Sequence, residues 1–210
     1  MDTFDAIYQR RSVKHFDPDH RLTAEEERKL HEAAIQAPTS FNIQLWRFLI
    51  IRDPQLRQTI REKYGNQAQM TDASLLILVA ADVNAWDKDP ARYWRNAPRE
   101  VANYLVGAIA SFYGGKPQLQ RDEAQRSIGM AMQNLMLAAK AMGYDSCPMI
   151  GFDLQKVAEL VKLPADYAIG PMVAIGKRTE DAPGKRRSNS PGRIPLGKLL
   201  CLTKVWCLAI

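Results

Sequence analysis

The stretch QRRSVKHF (9–16) sets Arg10, Arg11 and Lys14 around one hydroxyl, Ser12, within five positions. Side chains of an extended segment alternate between faces, so Arg10, Ser12 and Lys14 would share one side. That makes a row of donors with no acceptor among the side chains nearest in sequence. Two readings stand. The group is a solvated charged turn, or it is a cradle for phosphate or another anion, because guanidinium forks match phosphate oxygens and lysine adds a point charge. A second polar row lies in APTSFNIQLW (37–46), where Ser40, Asn42 and Gln44 recur at every second position after Pro38 and Thr39. It is either a hydrogen-bonding row or a plain loop leading into a strand. GNQAQMTDAS (65–74) and CPMIGFD (147–153) are two further polar stretches between apolar runs.

Other chemistries find little support. The three cysteines, Cys147, Cys201 and Cys207, form no CxxC pair and are too few for a disulfide framework. His15, His20 and His31 lack the spacing of metal ligands and are expected on the surface. The net charge of +6 raises the question of a nucleic-acid partner, but its location argues against one. From 177 to 210 there are eight basic and two acidic residues, whereas residues 1–176 balance at 21 against 21. A nucleic-acid or anionic-surface binding module built on the basic tail is therefore the alternative reading. No apolar run is long enough to span a bilayer, and MDTFDAIYQRR lacks the order of a signal peptide, so a cytoplasmic protein with no membrane partner is expected.

These rows need elements to hold them. A length of 210 residues with 46% hydrophobic and 25% charged residues gives enough material for one globular core. Thr23 and Glu26 form a capping-box pattern that opens a helix over 24–36, before Pro38. RFLIIRD (47–53) and SLLILVAAD (74–82) read as buried strands, with a helix between them ending at Gly65. DVNAWDKDPARYWRNAP (82–98) is a charged, Trp-bearing insertion, read either as a lid or rim or as a surface excursion. Helices follow over 99–115 and 127–143. The second is apolar nearly all round, as expected for burial in a core or a subunit interface. SCPMIGFD (146–153) reads as a turn, 154–164 as a last helix and GPMVAIGK (170–177) as a final strand. The fold class is α+β, a mixed and largely antiparallel sheet flanked by helices.

Taken in order, the four polar stretches resemble the FMN-dependent nitroreductase family. The likeness runs from about residue 3 to 176 and includes Arg-x-Ser-x-Lys, Pro-Thr-Ser-x-Asn-x-Gln-x-Trp, Pro-x-x-Gly-Phe-Asp and the ending LPADYAIGPMVAIG. It implies a homodimer with FMN at the subunit interface, NAD(P)H as reductant and a nitroaromatic or quinone as acceptor in a ping-pong cycle. By the resemblance, Arg10, Arg11, Ser12 and Lys14 hold the flavin, with the arginines toward the phosphate and Lys14 near the pyrimidine end. Pro38, Thr39, Ser40, Asn42 and Gln44 reach the ring from the other subunit. Asn66 bonds the ring edge, and Pro148, Met149, Ile150 and Gly151 line one face. No side chain is expected as catalytic acid or base.

Three departures bear on substrate choice. Ile150 stands where some members carry Glu, Gln69 where some carry Lys, and Leu45 interrupts a commoner Gln-Pro-Trp. Residues 1–176 are expected to form the FMN-binding domain and 177–210 a basic arm. That arm keeps PGK and IPLGKLL but ends in an apolar VWCLAI. Lys185 and Arg187 are expected near the phosphate.

Overall fold

A computed structural model describes residues 1–182. Its centre is a four-stranded antiparallel sheet in the order β1-β2-β4-β3. The strands are β1 (Trp46–Ile50), β2 (Leu75–Asp82), β3 (Asp145–Met149) and β4 (Tyr167–Gly176). Both faces are covered. Leu75, Ile77, Val79, Ala81, Val173 and Ile175 point into one core, and Leu76, Leu78, Met172 and Ala174 into the other. This double covering is why 74–82 is apolar without alternation. Each fully buried Leu or Ile there stabilises the fold by about 1.5–3 kcal/mol relative to exposure.

The first core is roofed by α2 (Ala24–Ala34), α5 (Arg99–Tyr113) and α6 (Pro117–Ala141). Thr23 Oγ1 accepts from the Glu26 amide, and Glu26 returns a carboxylate oxygen to the Thr23 amide, so the capping box closes. The second core lies under α3 (Pro54–Ile60), α4 (Gln69–Asp72) and α7 (Leu154–Leu160). A short α1 (Thr3–Gln9) precedes them, capped by the Asp2 side chain. The helical run after α3 continues as a π-turn, Arg61–Gly65.

Three expectations need correction. The turn expected over 146–153 is a strand as far as Met149. Pro148 is tolerated because β3 is an edge strand of the sheet and needs no donor at every position. Helix α6 begins at Pro117 rather than 127, since Pro suits the first helical turn and the polar residues after it are good helix formers. Its apolar surface is covered within the chain by α1, α2, α5 and the sheet; Met130 remains exposed. His20 and His31 are half-buried rather than superficial, the first tilted against the Tyr144 ring and the second edge-on to Phe48.

Between Leu78 and Ala80 the pairing with β4 shifts by one residue, a bulge at Gly170 and Pro171. A Cβ on Gly170 would meet the Val79 carbonyl at 2.7 Å and Ile128 Cγ2 at 2.8 Å, so only glycine fits that approach. Among the described residues no helix is long and apolar enough to cross a membrane, and no group of His, Cys, Asp or Glu has metal-binding geometry.

Candidate active site

The 10–14 segment runs along the outer edge of β3. Ser12 forms a parallel bridge with Ser146, and the Val13 amide donates to the Ser146 carbonyl at 3.1 Å. Ser12 and Lys14 are exposed on either side of buried Val13, so alternation holds there. Arg10 departs from the expected row. It caps α1 instead of extending the strand, and it is buried, with 7% of its surface exposed. Arg11 Nη1 donates to the carbonyls of Tyr8 at 2.7 Å and Arg10 at 2.9 Å, closing the same helix end.

The cations act on what lies beneath them. Burial pushes the Cys147 thiol up from its ordinary pKa, while a bond from Gln69 and the charges of Lys14 and Arg10 oppose that rise. Lys14 and Arg10 therefore project positive potential onto β3 close to its end at Met149, before the turn at Ile150–Gly151.

A third stretch joins these two. Asn66, left-handed at φ 46°, ends the π-turn and reverses the chain. Gln67 Nε2 then donates to the Gly151 carbonyl at 3.2 Å, and Gln67 Oε1 accepts from Gln69 Nε2 at 2.9 Å. Gln69, only 3% exposed, also reaches Cys147 Sγ at 3.7 Å. The Asp153 amide donates to the Tyr64 carbonyl at 3.1 Å. Arg10, Ser12, Lys14, Asn66 and Pro148–Gly151 thus gather at one sheet edge. Ile150 is exposed there, so the turn presents an apolar side chain and no carboxylate. The sequence reading missed Gln67 and the relay through Gln69. Their position in the polar GNQAQ run was the available signal.

Residues 38–44 lie elsewhere. They feed β1, at the opposite edge of the sheet, three strand spacings or about 14 Å from β3. Among the described residues no hydrogen bond joins the two groups. The period-2 row is not extended either: Ser40–Asn42 is a 3₁₀ turn, with Phe41, Asn42 and Gln44 at φ 50°, 53° and 53°. Such a run of left-handed non-glycine residues is a costly conformation, held here by the Gln44 amide donating to Thr39 Oγ1 at 3.0 Å. Lys185 and Arg187 lie outside the described residues.

Beside this turn is a cavity of about 480 Å³ lined by Asn42, Gln44, Trp46, Arg47, Arg92, Tyr93, Arg95 and Asn96. The 82–98 insertion forms its far wall. Lys88 Nζ anchors that insertion, bonding both Asp82 carboxylate oxygens at 2.9 Å and Asp166 Oδ2 at 2.6 Å. A rim reading of the insertion fits this anchored position.

Comparison with known proteins follows the same outline. Residues 7–177 match the model of the nitroreductase family. The candidate NAD(P)H nitroreductase YdgI of Bacillus subtilis is 31% identical over 188 residues, covering 86% of this chain and 90% of that one. YodC of the same organism, similarly named, is 29% identical over 94% of this chain and 97% of its own length. A candidate nitroreductase from Exiguobacterium sibiricum, solved in complex with FMN, superposes with a TM-score of 0.84 at 28% identity, covering 95% of this chain and 96% of that one. A family match that spans the β3-edge cluster, the 38–44 turn and all four strands leaves one conclusion: this chain belongs to the nitroreductase family.

Proposed function

We propose that the protein is an FMN-dependent oxidoreductase that draws hydride from NAD(P)H and reduces nitroaromatics or quinones in a ping-pong cycle, working as a homodimer. The observation that carries this reading is the meeting of the cationic 10–14 segment with the end of β3, the 148–151 stretch and the Gln67 clamp at one sheet edge. The residues present fit the flavin. Arg10 and Lys14 supply positive potential, Ser12 an exposed hydroxyl, and Gly151 an exposed backbone with open space beside it, where a Cβ would touch only Gln67 Nε2 at 3.5 Å. Buried Ser146 Oγ, beside Ser12, has no hydrogen-bond partner among the described residues.

Bound FMN would supply the redox chemistry, taking hydride and passing electrons to the acceptor. The chain's own side chains bind and orient. Arg10 and Arg11 serve the phosphate, Lys14 offsets negative charge at the pyrimidine end, Asn66 serves the ring edge, and Pro148–Gly151 form a floor. Pro38, Thr39, Ser40, Asn42 and Gln44 complete the site from a second copy, which reconciles their distance from β3 within one chain. Exposed Phe4 and Tyr8 on α1, and Val101, Tyr104 and Phe112 on α5, offer apolar surface for that copy.

The purified protein should be yellow, bleach anaerobically with NAD(P)H, and sediment as a dimer at micromolar concentration. A colourless, correctly folded preparation that FMN does not restore would overturn the reading.

A further inference from the structure

We propose that the cavity between the 42–47 turn and the 90–96 segment seats a phosphate group of the nicotinamide dinucleotide, held by Arg47, Arg92 and Arg95. This deepens the reading above and rests on it. The cavity lining carries three guanidinium groups and no carboxylate, in a chain whose first 176 residues are balanced in charge. Among the described residues no ion pair joins any of the three to an acid. A second arginine-lined cavity, around Arg21, Arg52 and Arg57, is different. There Glu27 pairs with Arg52, while Arg57 donates to the carbonyls of Ile51 and Ala73 and Arg21 to those of Pro18 and His20.

Two of the three guanidinium groups are also held in place, and the third, Arg95, follows an anchored turn. Arg47 Nη1 donates to the carbonyls of Gln44 at 2.8 Å and Trp46 at 2.9 Å, tying it to the left-handed turn. Arg92 lies 4.7 Å above the Tyr93 ring and donates to Tyr93 Oη. Arg92 and Arg95 sit in and just after the 3₁₀ turn Pro90–Trp94, whose segment Lys88 anchors to Asp82 and Asp166. A phosphate arriving there meets Arg47 and Arg92 already ordered, which lowers the ordering cost of binding. The cavity's size exceeds what a lone phosphate ion needs and suits an extended phosphate-bearing ligand.

The dinucleotide is the reactant that fits. Nitroaromatic and quinone acceptors carry no phosphate, and the flavin phosphate is assigned to Arg10 and Arg11, which do not line this cavity. The cavity opens beside Asn42 and Gln44, which serve the flavin ring, so a nicotinamide delivered to that ring would trail its phosphates toward these arginines.

The test uses the full-length FMN-loaded protein and its Arg92→Gln/Arg95→Gln double variant. Both positions are exposed, so folding and FMN content should hold. Calorimetric titration with adenosine 2′,5′-bisphosphate and with ADP should show affinity about tenfold or more weaker in the variant, as expected for lost charge-assisted bonds. The KM for NADPH or NADH should rise by a similar factor, while the KM for a quinone should not. A rise confined to NADPH would assign the 2′-phosphate, and a rise for both the pyrophosphate; either supports the proposal. Unchanged fragment affinity in a variant of a wild type that NAD(P)H does bleach would sink the arginine assignment alone. Loss of FMN with nucleotide affinity intact would sink it too, by giving these arginines to the flavin. Arginine-dependent fragment binding in a wild type that NAD(P)H never bleaches would sink the parent reading and the dinucleotide with it.

Discussion

Gln67 Nε2 reaches the Gly151 carbonyl at 3.2 Å across 84 residues of sequence, and so fixes the turn beside the cationic segment to the loop at Asn66. Gln67→Ala removes this clamp and frees Gln69 Nε2 from its 2.9 Å bond to Gln67 Oε1. One neutral hydrogen bond is worth about 0.5–1.5 kcal/mol net, so FMN affinity should fall roughly two- to tenfold. Fluorescence titration of the apoprotein reads this directly. An unchanged dissociation constant would show that the turn holds its shape without Gln67.

Lys88→Met tests what anchors the 82–98 insertion. The Asp82 side chain is only 3% exposed and accepts from Lys88 at both oxygens. Without Lys88 its remaining bond is from the Asn84 amide at 3.1 Å. A buried carboxylate left short of partners costs about 1–3 kcal/mol, toward the lower end here because Lys88 is half-exposed. Urea denaturation should show that loss, and Asp166→Asn should show less. Equal midpoints for wild type and Lys88→Met would mean the insertion is held by other contacts.

How far the fold could be read from sequence depends on what each residue's role required. Strand β2 was legible because both its faces are covered, leaving a continuous apolar run. Strand β3 was not, since Cys147-Pro148-Met149 reads as a turn until the sheet order shows Pro148 on an edge strand. The first turns of α6 carry Gln, Arg, Asp and Glu and show no apolar period, although Ala124 is buried. Ser12 and Lys14 fell on one side as the alternation required, but Arg10 turned inward because α1 extends as far as Gln9. The Gln67–Gly151 contact and the three-arginine cavity arise from distant segments meeting, which no local spacing encodes.

The Tyr144–Glu26 bond gives stability a pH signature. Tyr144 Oη donates to Glu26 Oε1 at 2.6 Å, joining the connection between α6 and β3 to the capping box of α2. That bond, with those from Thr23, holds the Glu26 carboxyl down at about 2 from an ordinary 4.5. A depressed carboxyl contributes stability that is present above the unfolded value and lost as pH falls through the folded one. Thermal midpoints of the wild type should therefore drop between about pH 4.5 and 2. Tyr144→Phe removes the largest cause and should shrink that drop. At the alkaline end the sign reverses. Burial, then the Glu26 bond and charge, push the Tyr144 phenol up to about 12 from 10, so its contribution is complete below 10 and lost on rising through 12. A Tyr144→Phe protein with the wild-type acid profile would rule out this linkage.

Lys14 provides the most direct test of the flavin assignment. It is exposed beside β3, and its charge already acts on Cys147. Two-electron reduction of a flavin builds negative charge on its pyrimidine side, so a cation there favours the reduced form. A charge-assisted bond of about 1.5–3 kcal/mol corresponds to roughly 30–60 mV for a two-electron couple. Lys14→Met keeps the stem and removes the charge. It should lower the FMN midpoint potential by about that amount and slow reduction by NAD(P)H, with the FMN content unchanged. Spectroelectrochemical titration of the fully loaded variant measures the shift. If Lys14 is only a solvated charge, the two potentials will coincide, and the assignment of Lys14 to the pyrimidine end falls.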